Sequence, residues 1–251
     1  MIRSSAIAAA AVLATASLAA AQDVTVTIEN LQGAGGLPLT PTFVGLHDGS
    51  FDLFDPGSAV SVGLEEVAEL GSTATLAGEL PAGAVTGDIT FGAPPTIDPG
   101  ETGSITLDSA GNRFLNFAAM VVPSNDLFVG NPTPIEIFDD MGNFNGPITI
   151  TLFGSQVWDA GTEVNDFSNG PAFVAGVDAT LGAEQNGVAS LLFDDPAASA
   201  YLASIIGADT PVGEIAQTFD SSTALYRVTI VPEPGSIAGL ALGGLFLRRR
   251  R

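Results

Sequence analysis

The chain has 251 residues and a formal net charge of −21, because 28 acidic side chains face only seven basic ones, all of them arginine. Such a charge repels phosphate backbones and argues against nucleic-acid binding. The lack of Cys excludes disulfides and thiolate sites, and the single His excludes sites that need two imidazoles. With 46% hydrophobic residues the chain is too apolar for a disordered acidic segment, so any chemistry must use carboxylates, hydroxyls and the main chain.

Residues 1–21 have the pattern of a secretory signal peptide. Arg3 supplies the positive start, an Ala-, Leu- and Val-rich stretch follows, and residues 19–21 are small alanines suited to cleavage before Gln22. A buried Ala-rich helix is the alternative interpretation, but it does not explain the lone Arg near the start. The pattern therefore predicts an exported protein.

The segment 22–231 is predicted to form one domain. It holds 27 of the 28 acids and two of the seven arginines, so its net charge is −25. This charge keeps the domain soluble but adds self-repulsion, which salt or bound divalent cations would relieve. About 210 residues are enough for one large β-sandwich with a buried core.

Period-2 patterns predict a mainly β fold, an antiparallel β-sandwich with a short helical insertion. Four segments carry strand patterns, and a fifth, more continuously apolar segment is expected to be buried on both of its faces. The alternating segments are 24–28, 105–107, 148–152 and 227–231, and the continuous one is 114–122. Clusters of Gly, Pro, Asn and Asp at 33–41, 92–100 and 139–146 are typical of the turns between them.

The inserted helix is predicted from a different period. Val60, Leu64, Val67 and Ala68 recur at helical spacing, with glutamates on the other side and Gly71 as the stop signal. A second, weaker helical pattern covers 197–206.

Two acidic turns follow predicted strands and are candidates for a metal site. Val-Pro-Ser-Asn-Asp ends at Asp126 after the most apolar strand, and Trp-Asp-Ala-Gly-Thr-Glu carries Asp159 and Glu163 after the strand at 148–153. Calcium takes six to eight oxygen ligands from carboxylates, carbonyls and water in tolerant geometry. On spacing alone, however, solvated acidic loops are the simpler interpretation.

A resemblance to a known family adds weight to the metal site. Five blocks occur in order: FVGLHD at 43–48, LFDPG at 53–57, AELG at 68–71, AMVVPSND at 119–126 and WDAGTE at 158–163. Together they resemble the spondin N-terminal domain of F-spondin and of many bacterial secreted proteins, across residues 24–195. The resemblance implies a β-sandwich related to calcium- and lipid-binding modules, with Ca²⁺ held at one end by Asp126, Asp159 and Glu163. Glu163 stands where animal members often carry Asp.

His47 beside Asp48 suggests a general base. The sequence has no nucleophile motif such as G-x-S-x-G to accompany it, and the block belongs to the family's structural segment. We therefore expect His47 to be a hydrogen-bonded loop residue, and we expect no catalytic residue.

The C-terminal end resembles the PEP-CTERM sorting signal of Gram-negative bacteria. Pro232-Glu233-Pro234 precedes an apolar run at 235–247 and four terminal arginines, so we predict a sorting tail at 232–251. The resemblance implies recognition by an exosortase-type enzyme and export to the cell surface, the outer membrane or the extracellular matrix. The apolar run is shorter than the roughly 20 residues that span a bilayer, so we expect the prolines and flanking residues to share the span. We predict transient membrane insertion through residues 235–247; an ordinary membrane tail is the alternative.

These features favour a calcium-binding adhesion module without catalysis, whose partner is an exopolysaccharide or a matrix protein. One alternative is a polysaccharide hydrolase that uses two carboxylates, which must lie roughly 5–9.5 Å apart. Another is a purely structural matrix protein whose acids bind cations loosely. The first predicts saturable calcium binding, and the last predicts weak binding that high salt removes.

Overall fold

The computed structural model of the chain describes residues 22–233. The predicted signal peptide (1–21) and nearly all of the predicted sorting tail (234–251) lie outside the described residues, so both stay predictions. Within residues 22–233, no helix combines the length and apolar character needed to cross a bilayer.

A four-stranded antiparallel sheet forms one layer of the fold, with strand order β4-β1-β13-β8. Its strands are β1 (Asp23–Asn30), β4 (Thr102–Asp108), β8 (Ile148–Phe153) and β13 (Ala224–Pro232). In β1, Val24, Val26 and Ile28 are buried while the residues between them reach the surface, as the alternating pattern predicts. The register sets Val26 between Ile105 of β4 and Ile230 of β13.

The second layer is a larger antiparallel sheet with strand order β10-β9-β6-β5-β2-β3, in which β7 also pairs with β5. Its strands are β2 (Thr42–His47), β3 (Val85–Ile89), β5 (Phe114–Met120), β6 (Leu127–Gly130), β7 (Ile135–Glu136), β9 (Trp158–Asp159) and β10 (Ser190–Leu191). A separate small hairpin joins β11 (Asp209–Thr210) to β12 (Gly213–Glu214).

The main core lies between the two sheets. Val26 and Ile230 of the first sheet share it with Leu115 and Phe117 of the second. Ala118 of β5 belongs instead to a second core on the outer side of the larger sheet. The strand is therefore buried on both faces, as its continuous apolar run predicts.

The second core is covered by the helical insertion. Helix α1 (Val62–Leu70) presents Leu64, Val67 and Ala68 to it. The helix begins after Ser61, whose Oγ accepts a hydrogen bond from the Leu64 N–H, and ends at Gly71 in the left-handed conformation (φ 66°). The predicted helix is confirmed in its buried face and in its stop at Gly71, whereas Val60 lies before its first residue and the cap at Ser61 was not predicted.

Two further α-helices lie among the described residues, besides three short 3₁₀ helices at Gly154–Gln156, Ala179–Leu181 and Leu192–Asp194. Helix α3 (Ala198–Ile205) confirms the weaker helical pattern, and its Tyr201, Leu202 and Ile205 are buried in the main core. Helix α2 (Ala74–Glu79) has only six residues and no clear helical period, and the sequence did not predict it. The observed architecture is thus the expected antiparallel β-sandwich with a helical insertion.

Candidate metal centre

The first acidic turn is closed by main-chain and hydroxyl hydrogen bonds. After β5, the Val121 N–H donates to the Leu127 carbonyl over 2.8 Å. The Ser124 hydroxyl donates to the Val121 carbonyl (2.7 Å) and accepts from the Leu127 N–H (3.1 Å). Asp126 precedes β6 directly in this turn and has no exposed surface.

The two oxygens of the Asp126 carboxylate have different surroundings. Oδ2 accepts from the main-chain N–H groups of Thr162 (2.8 Å) and Glu163 (3.0 Å), so the carboxylate ties the first acidic turn to the second. Oδ1 is buried and has no hydrogen-bond partner among residues 22–233. A buried polar atom without a partner is costly and needs an explanation, such as an ion or a water.

Strand β9 places Asp159 beside the first turn. Asp159 pairs with Leu127, the residue that follows Asp126, and one of its oxygens accepts from the Gly161 N–H (2.7 Å). The other oxygen accepts from the Asn165 side-chain amide. The carbonyl oxygen of that amide is itself buried and finds no partner in the described part of the chain. The structure therefore brings two carboxylates and an amide oxygen to one end of the sandwich.

Glu163 is linked to Asp126 through its main-chain N–H, and its carboxylate contacts Asn125, the residue before Asp126. The Glu163 Oε2 accepts from the Asn125 amide at 3.3 Å, and the carboxylate packs against Gly182 so closely that a Cβ there would collide with it. Glu163 also lies opposite Glu184 in an isolated β-bridge. The side chain is only 7% exposed.

Burial and repulsion disfavour the ionised forms of the carboxylates in this group. Burial is the main cause that raises the pKa of Asp126, and the charge of Asp159 raises it further against the lowering effect of the Thr162 and Glu163 hydrogen bonds. Burial likewise raises the pKa of Asp159, although Gly161 and Asn165 oppose it. Folding therefore raises the pKa of both carboxyl groups above their ordinary values.

Helix α1 adds a further set of acids. Burial raises the pKa of Glu163 to about 7, and the charges of Glu69 and Glu65 on α1 contribute to that rise. Burial also raises the pKa of Glu69, helped by Glu65 and Glu184. The sequence pattern assigned these helix glutamates to the solvent face, and nothing in their local spacing indicates that they approach Glu163.

No basic side chain of the described residues compensates for these charges. Arg113 pairs with Glu136 and Asp140, and Arg227 pairs with Glu29. Buried carboxylates without a basic partner, together with unpaired oxygens, form a donor set that suits a hard cation such as Ca²⁺. However, residues 22–233 contain no group of three or more His, Cys, Asp or Glu side chains arranged to hold a metal ion by themselves. The three-carboxylate site therefore stays a prediction.

Tyr201 holds Asn125 of the first acidic turn in place through two hydrogen bonds. The buried Tyr201 hydroxyl donates to the Asn125 Oδ1 (3.0 Å) and accepts from the Asn125 N–H (2.9 Å). Burial raises the pKa of Tyr201 well above its ordinary value, so the hydroxyl stays protonated and can donate. These supports were not predicted, because 76 residues separate Tyr201 from its partner.

A surface pocket gives access to the Asp159 side of the group. Its volume is ≈ 400 Å³, and its lining includes Asp159, Asn165, Asp194 and Asp195. All the charged groups in this lining are acidic, so the approach is favourable to cations.

His47 has the hydrogen-bonded structural role that the sequence favours, but it is the last residue of strand β2, paired with Phe114, and not the loop residue that was expected. Its ring is completely buried, with Nε2 in contact with the Asn116 Oδ1 (2.7 Å) and Nδ1 accepting from the Gly49 N–H (3.1 Å). Asp48 accepts instead from Ser50. Both ring nitrogens are occupied, so this geometry does not present a base to a substrate.

Comparison with known proteins agrees with the ordered blocks of the sequence. A sequence model of the family Spondin_N matches residues 38–201, which include both acidic turns. No curated protein matches the chain.

Proposed function

Because the chain belongs to the Spondin_N family, we propose that it is an exported, non-catalytic binding module whose acidic end holds one calcium ion. The carboxylates of Asp126 and Asp159 would be its principal ligands. Carbonyl and amide oxygens and water would complete the shell that calcium requires. Glu163 would be the third carboxylate, for which its side chain would turn from Asn125 toward Asp126.

The observation that carries this proposal is the unpartnered Asp126 Oδ1. This atom lies in a residue with no exposed surface, beside a second buried carboxylate, and the two described arginines pair with other acids. An ion at this position would supply the missing interaction and would neutralise the repulsion between Asp126 and Asp159. The second orphaned oxygen, on Asn165, supports the same location.

Calcium at this position would act as a structural clamp. The two acidic turns are joined through Asp126 to Thr162 and Glu163, and an ion would strengthen that link and fix the shape of the rim. A rigid rim favours binding because less conformational entropy is lost when a partner docks. We propose that the partner is an exopolysaccharide or a matrix protein, and that the tail delivers the module to the cell surface.

The geometry does not favour polysaccharide hydrolysis. Asp126 has no exposed surface, and Asp159 and Glu163 are each 7% exposed. A glycosidase needs two carboxyl groups that reach the scissile bond from an open cleft. Here one oxygen of Asp126 is already bound by two main-chain N–H groups.

The proposal is tested by calcium titration of the chelator-treated chain. We expect isothermal titration calorimetry to show one saturable site, and calcium to raise the melting temperature, since a ligand present at 100 times its Kd stabilises a protein by about 2.7 kcal/mol. The variant Asp159→Asn should lose both effects.

The matched control is Asp220→Asn, which makes the same change in an exposed turn that bonds only Ser222 and Thr223. It should retain wild-type calcium binding. Equal loss in both variants, or weak binding that never saturates, would instead support the loosely cation-binding matrix protein.

A further inference from the structure

The strand β8 ends one side of the four-stranded sheet, and its outer edge pairs with no other strand among residues 22–233. The Gly154 N–H donates to the Thr223 carbonyl, which makes Phe153 and Ala224 a non-hydrogen-bonded pair of the β8–β13 ladder. The main-chain groups of alternate residues therefore point in opposite directions. Those of Ile148, Ile150 and Leu152 face β13, and those of Thr149 and Thr151 face outward.

The outward groups of Thr149 and Thr151 have no partner in residues 22–233. Both ends of this free stretch are closed. Pro147 has no N–H to offer, and the Phe153 N–H already donates to the Gln156 Oε1 (3.1 Å). What remains available is one N–H and one C=O on each of two threonines, placed symmetrically about Ile150.

This edge is also uncharged in a highly acidic chain. Between Asp140 and Asp159 there are 18 consecutive residues without a charged side chain, and β8 lies in the middle of them. The opposite edge of the same sheet is different. Strand β4 ends in Asp108 and is preceded by Glu101. Natural proteins protect their free edges with such charges, and β8 lacks that protection.

We propose that β8 is the surface through which two copies of this chain pair edge to edge, antiparallel and about a two-fold axis at Ile150. The occupant is a second copy because the strand is complementary to itself. Its sequence Ile-Thr-Ile-Thr-Leu reads almost the same in both directions. In this register Thr149 of each copy lies opposite Thr151 of the other.

The pairing satisfies the free main-chain groups of both threonines. Thr149 of each copy and Thr151 of the other form a hydrogen-bonded pair, in which the two residues exchange both N–H···O bonds. The two pairs together give four intermolecular bonds. Cross-strand Thr–Thr pairs are themselves favourable. The two sheets then become one continuous sheet of eight strands. The contact is small, and contacts below about 1,200 Å² are weak, so dimerisation is expected at high protein concentration.

The register is tested by cysteine cross-linking, since the natural chain has no Cys. In Ile150→Cys the two thiols face each other across the axis with Cα atoms about 4.5 Å apart, within the range of a disulfide. The control Ile148→Cys lies on the same strand and the same face. Its two copies are four residues apart, about 13 Å along the strand. Oxidation of the full-length variants with diamide should give a disulfide dimer for Ile150→Cys and little for Ile148→Cys; equal yields would overturn the proposal.

Sedimentation velocity of the full-length chain, with a chelator present, tests the edge without a cross-link. Thr151→Pro removes one outward N–H from each copy and no bond of the ladder, and should weaken dimerisation about tenfold or more through the loss of two of the four bonds. Ser104→Pro makes the matching change at the exposed edge of β4 and should have no effect. Thermal melting checks that both variants fold. A chain that stays monomeric up to near-millimolar concentration, or a dimer that only Ser104→Pro disrupts, contradicts the β8 interface.

Discussion

Asp126→Asn should have opposite effects on stability with and without calcium. In the calcium-free protein the substitution removes a buried charge and its repulsion with Asp159. The amide oxygen can still accept from the Thr162 and Glu163 N–H groups. The amide nitrogen then takes the place of the unpartnered Oδ1, as a donor beside the Asp159 carboxylate. We therefore expect Asp126→Asn to be more stable than the wild type when calcium is removed.

The size of the effect follows from the cost of ionising Asp126. Each unit by which folding raises a pKa costs about 1.4 kcal/mol once the group is ionised. Because Asn forms weaker hydrogen bonds than a carboxylate, we expect a net gain of about 1–3 kcal/mol at pH 8. For a domain of this size that is a rise of about 2–12 °C in melting temperature. At pH 5 the gain should be smaller than at pH 8, because folded wild-type Asp126 is then protonated, and it should vanish only below the ordinary pKa of 3.8, where the unfolded chain is protonated as well.

The assay is thermal melting of both proteins, in chelator and in saturating calcium, at the two pH values. Calcium should stabilise the wild type at pH 8 and leave Asp126→Asn unchanged. If the variant is the less stable protein in chelator at pH 8, or if calcium still raises its melting temperature, the account of the site is wrong. The change Asp220→Asn again serves as the control for a surface carboxylate.

Three further outcomes are expected. Folding raises the pKa of Glu163 from 4.5 to about 7, so the stability that this group adds in the absence of calcium is complete below pH 4.5 and is lost as the pH rises through 7. The stabilisation by calcium should instead increase over the same range. Melting curves from pH 5 to 8, with and without calcium, test both trends. Tyr201→Phe leaves the N–H and Oδ1 of Asn125 unpaired, and the free energy of unfolding measured in urea should fall by about 1–3 kcal/mol for each of these two groups. A smaller stabilisation by calcium would show that the turn has moved. Gly71→Ala should destabilise by about 1 kcal/mol or more because Gly71 is left-handed and its Cβ would collide with Thr40, while Gly78→Ala, with open space around it, should stabilise α2 slightly.

The strands with one buried face could be predicted from the sequence. Val24, Val26 and Ile28 alternate with polar residues, and the structure shows them buried in β1. The C-terminal end of α1 could be predicted for a similar reason, because Gly71 provides a local stop signal. Strands β9 and β10, with two residues each, carry no such period. They form because β9 pairs with its spatial neighbours β6 and β10, which are distant along the chain.

The candidate site was predictable in part. The two acidic blocks placed Asp126 and Asp159, and the β6–β9 pairing shows why they meet. The direction of the Glu163 carboxylate was not predictable, because it depends on Asn125 and on the glutamates of α1. These contacts join segments that are distant along the chain, and no local spacing encodes them.

Edge pairing through β8 should become stronger as salt is added. Two copies that each carry a formal charge of −21 repel each other, and this repulsion is screened over about 10 Å at 0.1 M salt. The proposed contact itself contains no ion pair that salt could weaken, since Thr149 and Thr151 bond through their main chains. The dimer fraction in sedimentation should therefore rise between low and moderate ionic strength. A fall over that range would mean that charged groups hold the copies together, which the uncharged edge cannot explain.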